Sequence, residues 1–183
     1  IMGVSLLYHL TKEGWKDLVL LEKGELTSGS TWHAAGQCPQ MMGSYNLAKI
    51  HKESNNLYKK LEKETEQPTG FHECGSLRIA YKKEDLDWFK YVKGILDNIG
   101  APSEIISTNE IRKVHPFIKL DGILGAFHTP DDGHTDPTST TNAMAKGARN
   151  HGAKIYRKNR VTDIKLLSSG EWKLITEKGD IVC

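Results

Sequence analysis

Val4, Leu7, Tyr8 and Leu10 recur at the spacing of an amphipathic helix, with Lys12 and Glu13 on its polar side and Gly14 placed to end it. The apolar run Leu18-Val19-Leu20-Leu21 follows and reads as a buried parallel strand that stops at Glu22. A second helical stripe, Leu47, Ile50, Leu57, Tyr58 and Leu61, predicts a lysine- and glutamate-rich helix from Ser44 to Glu64. Gly70 to Gly75 reads as a loop, and the alternation from Ser76 to Tyr81 as a strand. Lys83 to Ile99 has helical periodicity and is closed by Gly100. A short helix starts near Ser107-Thr108-Asn109-Glu110, with Thr108 the expected N-cap, and ends at His115-Pro116. Ile123 to His128 reads as a strand and Thr129 to Pro137 as a loop, with a helix from Thr138 to His151. Lys154-Ile155-Tyr156 and Val161-Thr162-Asp163-Ile164 read as further strands, and Trp172 to Thr176 as a strand whose turn leads into Ile181-Val182-Cys183. Helices and strands mix throughout, without repeats, which predicts an α/β fold carrying an antiparallel insertion. Residues 1–42 and 136–183 form the nucleotide-binding pattern, and 43–135 interrupt it as a substrate-side insertion.

At 183 residues the chain is long enough to bury a core. Its 25 basic and 23 acidic residues give a net charge of +2, which supplies no reason to expect a nucleic-acid partner. No run of about 18 apolar residues suggests a membrane span. Three cysteines, Cys38, Cys74 and Cys183, are too few for a disulfide scaffold and favour a reducing compartment. The first residue is Ile1, and the pattern begins inside a helix and ends inside a strand, so the expectation is an internal fragment lacking the first strand of its sheet.

A helix opening at Gly3, a buried strand and an acidic residue 19 positions after that glycine form the second half of a dinucleotide-binding βαβ unit. Gly3 stands where the third glycine of G-x-G-x-x-G lets helix and strand approach, and Glu22 where a carboxylate reaches a ribose hydroxyl. A surface glutamate ending a strand fits Glu22 too. Thr27-Ser28-Gly29-Ser30-Thr31-Trp32-His33-Ala34-Ala35-Gly36-Gln37 combines small residues and hydroxyls, which suit a pyrophosphate approached by backbone N–H groups. Composition alone is equally compatible with a serine- and glycine-rich loop.

The run Leu26-Thr27-Ser28-Gly29-Ser30-Thr31-Trp32-His33-Ala34-Ala35-Gly36, taken with Gly3 and Leu20-Leu21-Glu22-Lys23, resembles the dimethylglycine dehydrogenase and sarcosine dehydrogenase family. These are FAD-dependent amine dehydrogenases of the D-amino-acid-oxidase-like superfamily. The likeness continues through Gly70-Phe71-His72, Gly75 to Ala80, Asp132-Gly133-His134-Thr135-Asp136-Pro137 and Gly147-Ala148-Arg149 to Gly152-Ala153, nearly the whole chain. It implies that Ile1, Met2 and Gly3 belong to the FAD pyrophosphate turn, that Glu22 with Lys23 beside it holds the adenosine ribose, and that Gly29, Ser30, Thr31, Trp32, His33, Ala34, Ala35, Gly36 and Gln37 wrap the flavin. Val161 would supply a backbone contact to adenine. His33 matches the histidine that bonds covalently to the flavin 8α-methyl carbon, a role open to a neutral imidazole near pH 7.

The implied reaction moves a hydride from an N-methyl group of a small amino acid, dimethylglycine- or sarcosine-like, to the flavin. Formaldehyde is released, or the one-carbon unit passes to tetrahydrofolate bound in a missing C-terminal part. Electrons leave to an electron-transfer flavoprotein or to oxygen, as in choline and glycine betaine catabolism. The compartment would be the cytoplasm in a bacterium and the mitochondrial matrix in a eukaryote, with no membrane or nucleic-acid partner. Two other readings stay open: a noncovalent flavin oxidase that uses oxygen, and a noncatalytic flavin- or folate-associated module. His134 is a candidate at the substrate pocket and Arg78 a weaker one for a substrate carboxylate. His51 reads as a core histidine. His72 with Cys74, and Asp131, Asp132, His134 and Asp136, lack metal-site spacing, so no metal is expected.

Overall fold

The computed structural model describes residues 1–183. Its elements in chain order are α1 (Met2–Lys12), β1 (Val19–Leu21), a 3-10 turn (Thr31–His33), β2 (Gln37–Cys38), α2 (Tyr45–Thr65), β3 (His72–Glu73), β4 (Ser76–Ala80), α3 (Lys83–Asn98), β5 (Glu104–Ile106), α4 (Thr108–Val114), β6 (Gly125–Thr129), β7 (Gly133–His134), α5 (Pro137–Asn150), β8 (Lys154–Tyr156), β9 (Val161–Leu166), β10 (Trp172–Thr176) and β11 (Ile181–Val182). They divide between two compact units, one of Ile1–Ala35, Leu61–Thr69 and Asp136–Cys183, the other of Gly36–Lys60 and Gly70–Thr135.

In the first unit, α1 buries Val4, Leu7, Tyr8 and Thr11 and ends where Gly14 turns to φ +86°. Gly14 N–H donates to Thr11 O and Trp15 N–H to Leu10 O, both at 3.1 Å, the paired bonds that satisfy the last carbonyls of a helix. The buried face of α1 crosses α5 at Gly147, where an added Cβ would stand 2.6 Å from the Tyr8 ring and 3.0 Å from Thr65. Tyr8 keeps its polar end satisfied by donating to Glu64 at 2.6 Å, and Lys12 donates to the same carboxylate at 2.9 Å. β1 pairs in parallel with β8, Leu20 opposite Ile155. The expected parallel strand is there, but it is not buried: Val19 is exposed and Leu20 and Leu21 are half-buried. With β8 as its one neighbour, this strand lacks the two-sided cover a central parallel strand receives. β9, β10 and β11 form an antiparallel meander in which Ile164, Leu174 and Ile181 share a row.

In the second unit, β6 lies between β4 and β5, antiparallel to both. Phe127 of β6 and Ala80 of β4 meet Phe89, Val92 and Leu96 of α3 in the main core, with Met41, Ala48 and Ala101. α3 ends at Gly100, φ +67°, and Lys52 of α2 caps it from the side by donating to Ile99 O at 2.6 Å and Gly100 O at 3.0 Å. α4 is capped by Ser107, not by the expected Thr108, which is already the first helical residue. The Ser107 N–H donates to the Glu110 carboxylate at 2.7 Å and the Glu110 N–H to Ser107 Oγ at 3.4 Å, a reciprocal box that fixes the start one residue earlier. The predicted α2 stripe holds in its second half, with Leu61 buried and Leu57 and Tyr58 half-buried, but not in its first, where Leu47 and Ile50 are exposed and the inward positions are Ala48 and Asn55. Asn55 is drawn in because its Nδ2 donates to Cys38 O at 2.9 Å, so a polar anchor rather than an apolar row orients this part of the helix. The segments read as loops around residues 72 and 133 hold β3 and β7, which assemble with β2 into this unit's second sheet, order β2-β7-β3.

Candidate functional site

The chain leaves β1 into a turn built by Glu22. Its N–H donates to Tyr156 O at 2.9 Å, its C=O accepts from Asn159 N–H at 3.0 Å, and its carboxylate accepts from Gly24 N–H at 2.7 Å. The loops after β1 and β8 are thereby tied together at the carboxyl ends of the parallel strands, where open α/β sheets bind ligands. Thr27 holds φ +72°, a left-handed conformation that non-glycine residues adopt at a local cost. Ser28 N–H and Oγ–H both donate to Glu25 O, at 3.2 and 2.8 Å. Thr31–His33 then winds one 3-10 turn, closed by His33 N–H to Ser30 O and Ala34 N–H to Thr31 O, each 3.2 Å.

His33 is exposed at the end of that turn, and its ring Nδ1 lies 3.1 Å from Gly29 O. A carbonyl only accepts, so Nδ1 is the donor in this contact, and in a neutral ring the lone pair is then on Nε2. The Trp32 indole lies against the imidazole, ring centroids 3.8 Å apart and planes inclined by 35°.

Ile1, Gly3, Glu22, Gly29 and Thr31 line one cavity of about 230 Å³, with Leu20, Thr27 and Ser28. Gly3 faces Leu20 there: an added Cβ would sit 3.4 Å from Leu20 Cδ1, an ordinary contact. Thr141 of α5 also lines this cavity, a residue the sequence reading passed over because its position in a helical pattern carries no loop signal. Met2, Lys23, Ser30, Trp32, His33, Ala34, Ala35 and Val161 are not in the cavity wall, and Met2 is 83% exposed. A larger cavity of about 650 Å³ lies between the loop after β8 and the β10–β11 turn. It contains none of the expected site residues, and its Arg157 and Lys158 are already paired with Glu25 at 2.7 and 3.2 Å. These cations hold the Glu25 carboxyl below its ordinary range, the Lys158 contact contributing most.

Gly36 and Gln37 belong to the second unit, as does His134. Gly36, at φ +74°, accepts from Thr135 N–H at 2.9 Å. On β7, His134 stands opposite Gln37 on one side and His72 on the other. The two imidazole rings are 5.2 Å apart, and all three residues are exposed. Gly133, next on β7, lies so close to His72 O that a Cβ there would collide with it. Beneath this row sits Asp132, 1% exposed, whose carboxylate accepts from Gln40 N–H at 2.8 Å, Gln40 Nε2–H at 3.4 Å and the Ser76 hydroxyl at 2.5 Å. Burial raises the Asp132 carboxyl above its usual range against those hydrogen bonds. Burial likewise pushes the neighbouring Cys38 thiol up to about 11. His51 donates from Nδ1 to Pro39 O at 2.7 Å and is half-buried. Arg78 is exposed on β4. No three histidine, cysteine, aspartate or glutamate side chains converge as metal ligands, and no helix is long and apolar enough to cross a membrane.

Residues 1–183 match the family described as FAD dependent oxidoreductase. The chain belongs to that family. As an FAD dependent oxidoreductase chain it is 44% identical to dimethylglycine dehydrogenase, mitochondrial, of Rattus norvegicus over 98% of its own length and 21% of that protein. It is 36% identical to the pyruvate dehydrogenase phosphatase regulatory subunit, mitochondrial, of Mus musculus, over all of its own length and 21% of that protein. Among solved structures it superposes on L-proline dehydrogenase from P. horikoshii with a TM-score of 0.86 at 27% identity, covering 97% of this chain and 47% of the other. The chain thus spans about a fifth of the length of the curated relatives it matches.

Proposed function

We propose that the protein containing this chain is an FAD-dependent amine dehydrogenase that oxidises the N-methyl C–N bond of a small N-methylated amino acid, dimethylglycine- or sarcosine-like. The observation that carries the reading is His33, an exposed residue whose Nδ1 lies 3.1 Å from Gly29 O, an arrangement that in the neutral ring makes Nε2 the nitrogen available as a nucleophile. The 44% identity to dimethylglycine dehydrogenase supports the substrate class.

The residues of the first unit fit an FAD. Glu22 offers a carboxylate to a ribose, Ser28 and Thr31 offer hydroxyls, and Gly3 and Gly29 keep side chains out of the cavity wall. His33 Nε2 would hold the flavin covalently at its 8α-carbon, with Lys23, Ser30, Trp32, Ala34, Ala35, Gly36 and Gln37 as its surroundings and Val161 as a backbone contact to adenine. When bound, FAD supplies the hydride acceptor. The segments 1–42 and 136–183 serve as the flavin side and 43–135 as the substrate side, where His134, with His72 and Gln37 in its row, offers hydrogen-bond donors to a substrate carboxylate. Release of formaldehyde or transfer of the one-carbon unit to tetrahydrofolate, and delivery of electrons to an electron-transfer flavoprotein or oxygen, complete the proposal.

The test is anaerobic titration of the purified full-length protein. Dimethylglycine or sarcosine should bleach the flavin absorbance, and the demethylated amine should appear in equal amount. Flavin that stays oxidised with both substrates would contradict the reading. A second reading, a noncatalytic module, draws on the likeness to a phosphatase regulatory subunit. It predicts full-length protein that takes up no flavin at all.

A further inference from the structure

We infer that Trp32 is a positioning residue for flavin attachment, holding the His33 ring so that Nε2, and not Nδ1, meets the flavin. The inference rests on the attachment proposed above. Successive side chains on a 3-10 turn diverge by about 120°. Trp32 and His33 are such neighbours, yet their ring centroids are 3.8 Å apart with the planes inclined by 35°, so both side chains have turned toward each other. His33 is exposed, so no core packs around its ring. The ring is held by the hydrogen bond to Gly29 O at 3.1 Å and by the indole. The hydrogen bond fixes which nitrogen bears the proton; the indole limits rotation of the ring about its two side-chain torsions. Loss of the indole leaves an imidazole that samples several rotamers, with Nε2 directed at the reacting carbon in a fraction of them.

In the attachment a bond forms between Nε2 and the 8α-carbon. One methyl C–H bond and the Nδ1–H bond break, and both protons go to solvent. The two electrons left behind pass to dioxygen, which leaves as hydrogen peroxide. Trp32 takes no part in this bookkeeping, so its effect falls on the rate of attachment and not on the final product.

The experiment uses full-length apoprotein incubated in air with FAD. Total bound flavin is followed after gel filtration and covalent flavin after acid precipitation, for the wild type, Trp32→Phe, Trp32→Leu and His33→Ala. At FAD concentrations that saturate each variant, we expect covalent attachment in Trp32→Leu to slow by roughly tenfold or more, a far larger loss than its loss of total bound flavin. Trp32→Phe, which keeps an aromatic face, should attach within about threefold of the wild-type rate. Attachment in Trp32→Leu at the wild-type rate, or slowed in Trp32→Phe as much as in Trp32→Leu, would overturn the inference. Equal losses of total and covalent flavin in Trp32→Leu would overturn it too, since the indole would then hold the cofactor and not the histidine. Wild-type protein with no covalent flavin, or His33→Ala that still acquires it, would instead contradict the attachment itself.

Discussion

Asp132 shows how one buried carboxylate can organise a chain segment. It gathers three donors from Gln40 and Ser76 directly behind the Gly133–His134 strand. Asp132→Ala leaves the Gln40 N–H without its acceptor and should cost on the order of 1–3 kcal/mol, read by chemical denaturation. Asp132→Asn retains an acceptor and should cost less. The pH dependence separates charge from hydrogen bonding. Burial raises the folded-state value above the ordinary 3.8, so folding favours the protonated form. The stability this adds is present below 3.8 and is lost as pH rises through the raised value. Melting temperatures from pH 4 to 7 should therefore fall further in the wild type than in Asp132→Asn; equal slopes would contradict this. Cys38 and Cys74 give a second check. The Cys38 thiol is buried and pushed up to about 11, whereas Cys74 is exposed. Peptide mapping after brief alkylation at pH 8 should find Cys74 modified and Cys38 protected. The role of Asp132 was not legible in the sequence, where it reads as one more acid in an aspartate-rich loop. Its partner Gln40 lies 92 positions away, a separation that no local pattern reports.

Helices were legible because their signals are local. The spacing of Val4, Leu7 and Tyr8 places α1, and glycines at 14 and 100 end α1 and α3 through left-handed turns. Short strands were not, since two residues such as His72–Glu73 or Gly133–His134 hold too little alternation to register. The departure in the first half of α2 has the same root: Asn55 bonds across to Cys38, and hydrophobicity along the helix does not carry that information. Two predictions belong to this scale. Gly147→Ala should destabilise by about 1–3 kcal/mol, because the new methyl meets the Tyr8 ring and neither helix can retreat without opening the crossing. Its Val counterpart should be worse. Ser107→Ala should cost about 0.5–2 kcal/mol through loss of the α4 cap, while Thr108→Ala should stay close to neutral. Thermal unfolding of both pairs checks the order.

The chain divides into a unit holding the parallel β1–β8 pair and a unit of small antiparallel sheets, and its sequence spans about a fifth of the curated relatives it matches. The loop of residues 29–36 was legible because small residues, hydroxyls, a tryptophan and a histidine stand together in one run. The tautomer of His33 and the seat of Trp32 against it required coordinates, since both depend on how the 3-10 turn folds back to Gly29. That geometry makes covalent flavin the central claim. It is tested most directly by digesting the full-length protein after acid precipitation and sequencing the flavin-bearing peptide by mass spectrometry. One yellow peptide containing His33 is expected, with the mass of FAD added at that residue and absent from His33→Ala. Flavin recovered entirely in the supernatant, or attached to any other residue, would contradict it.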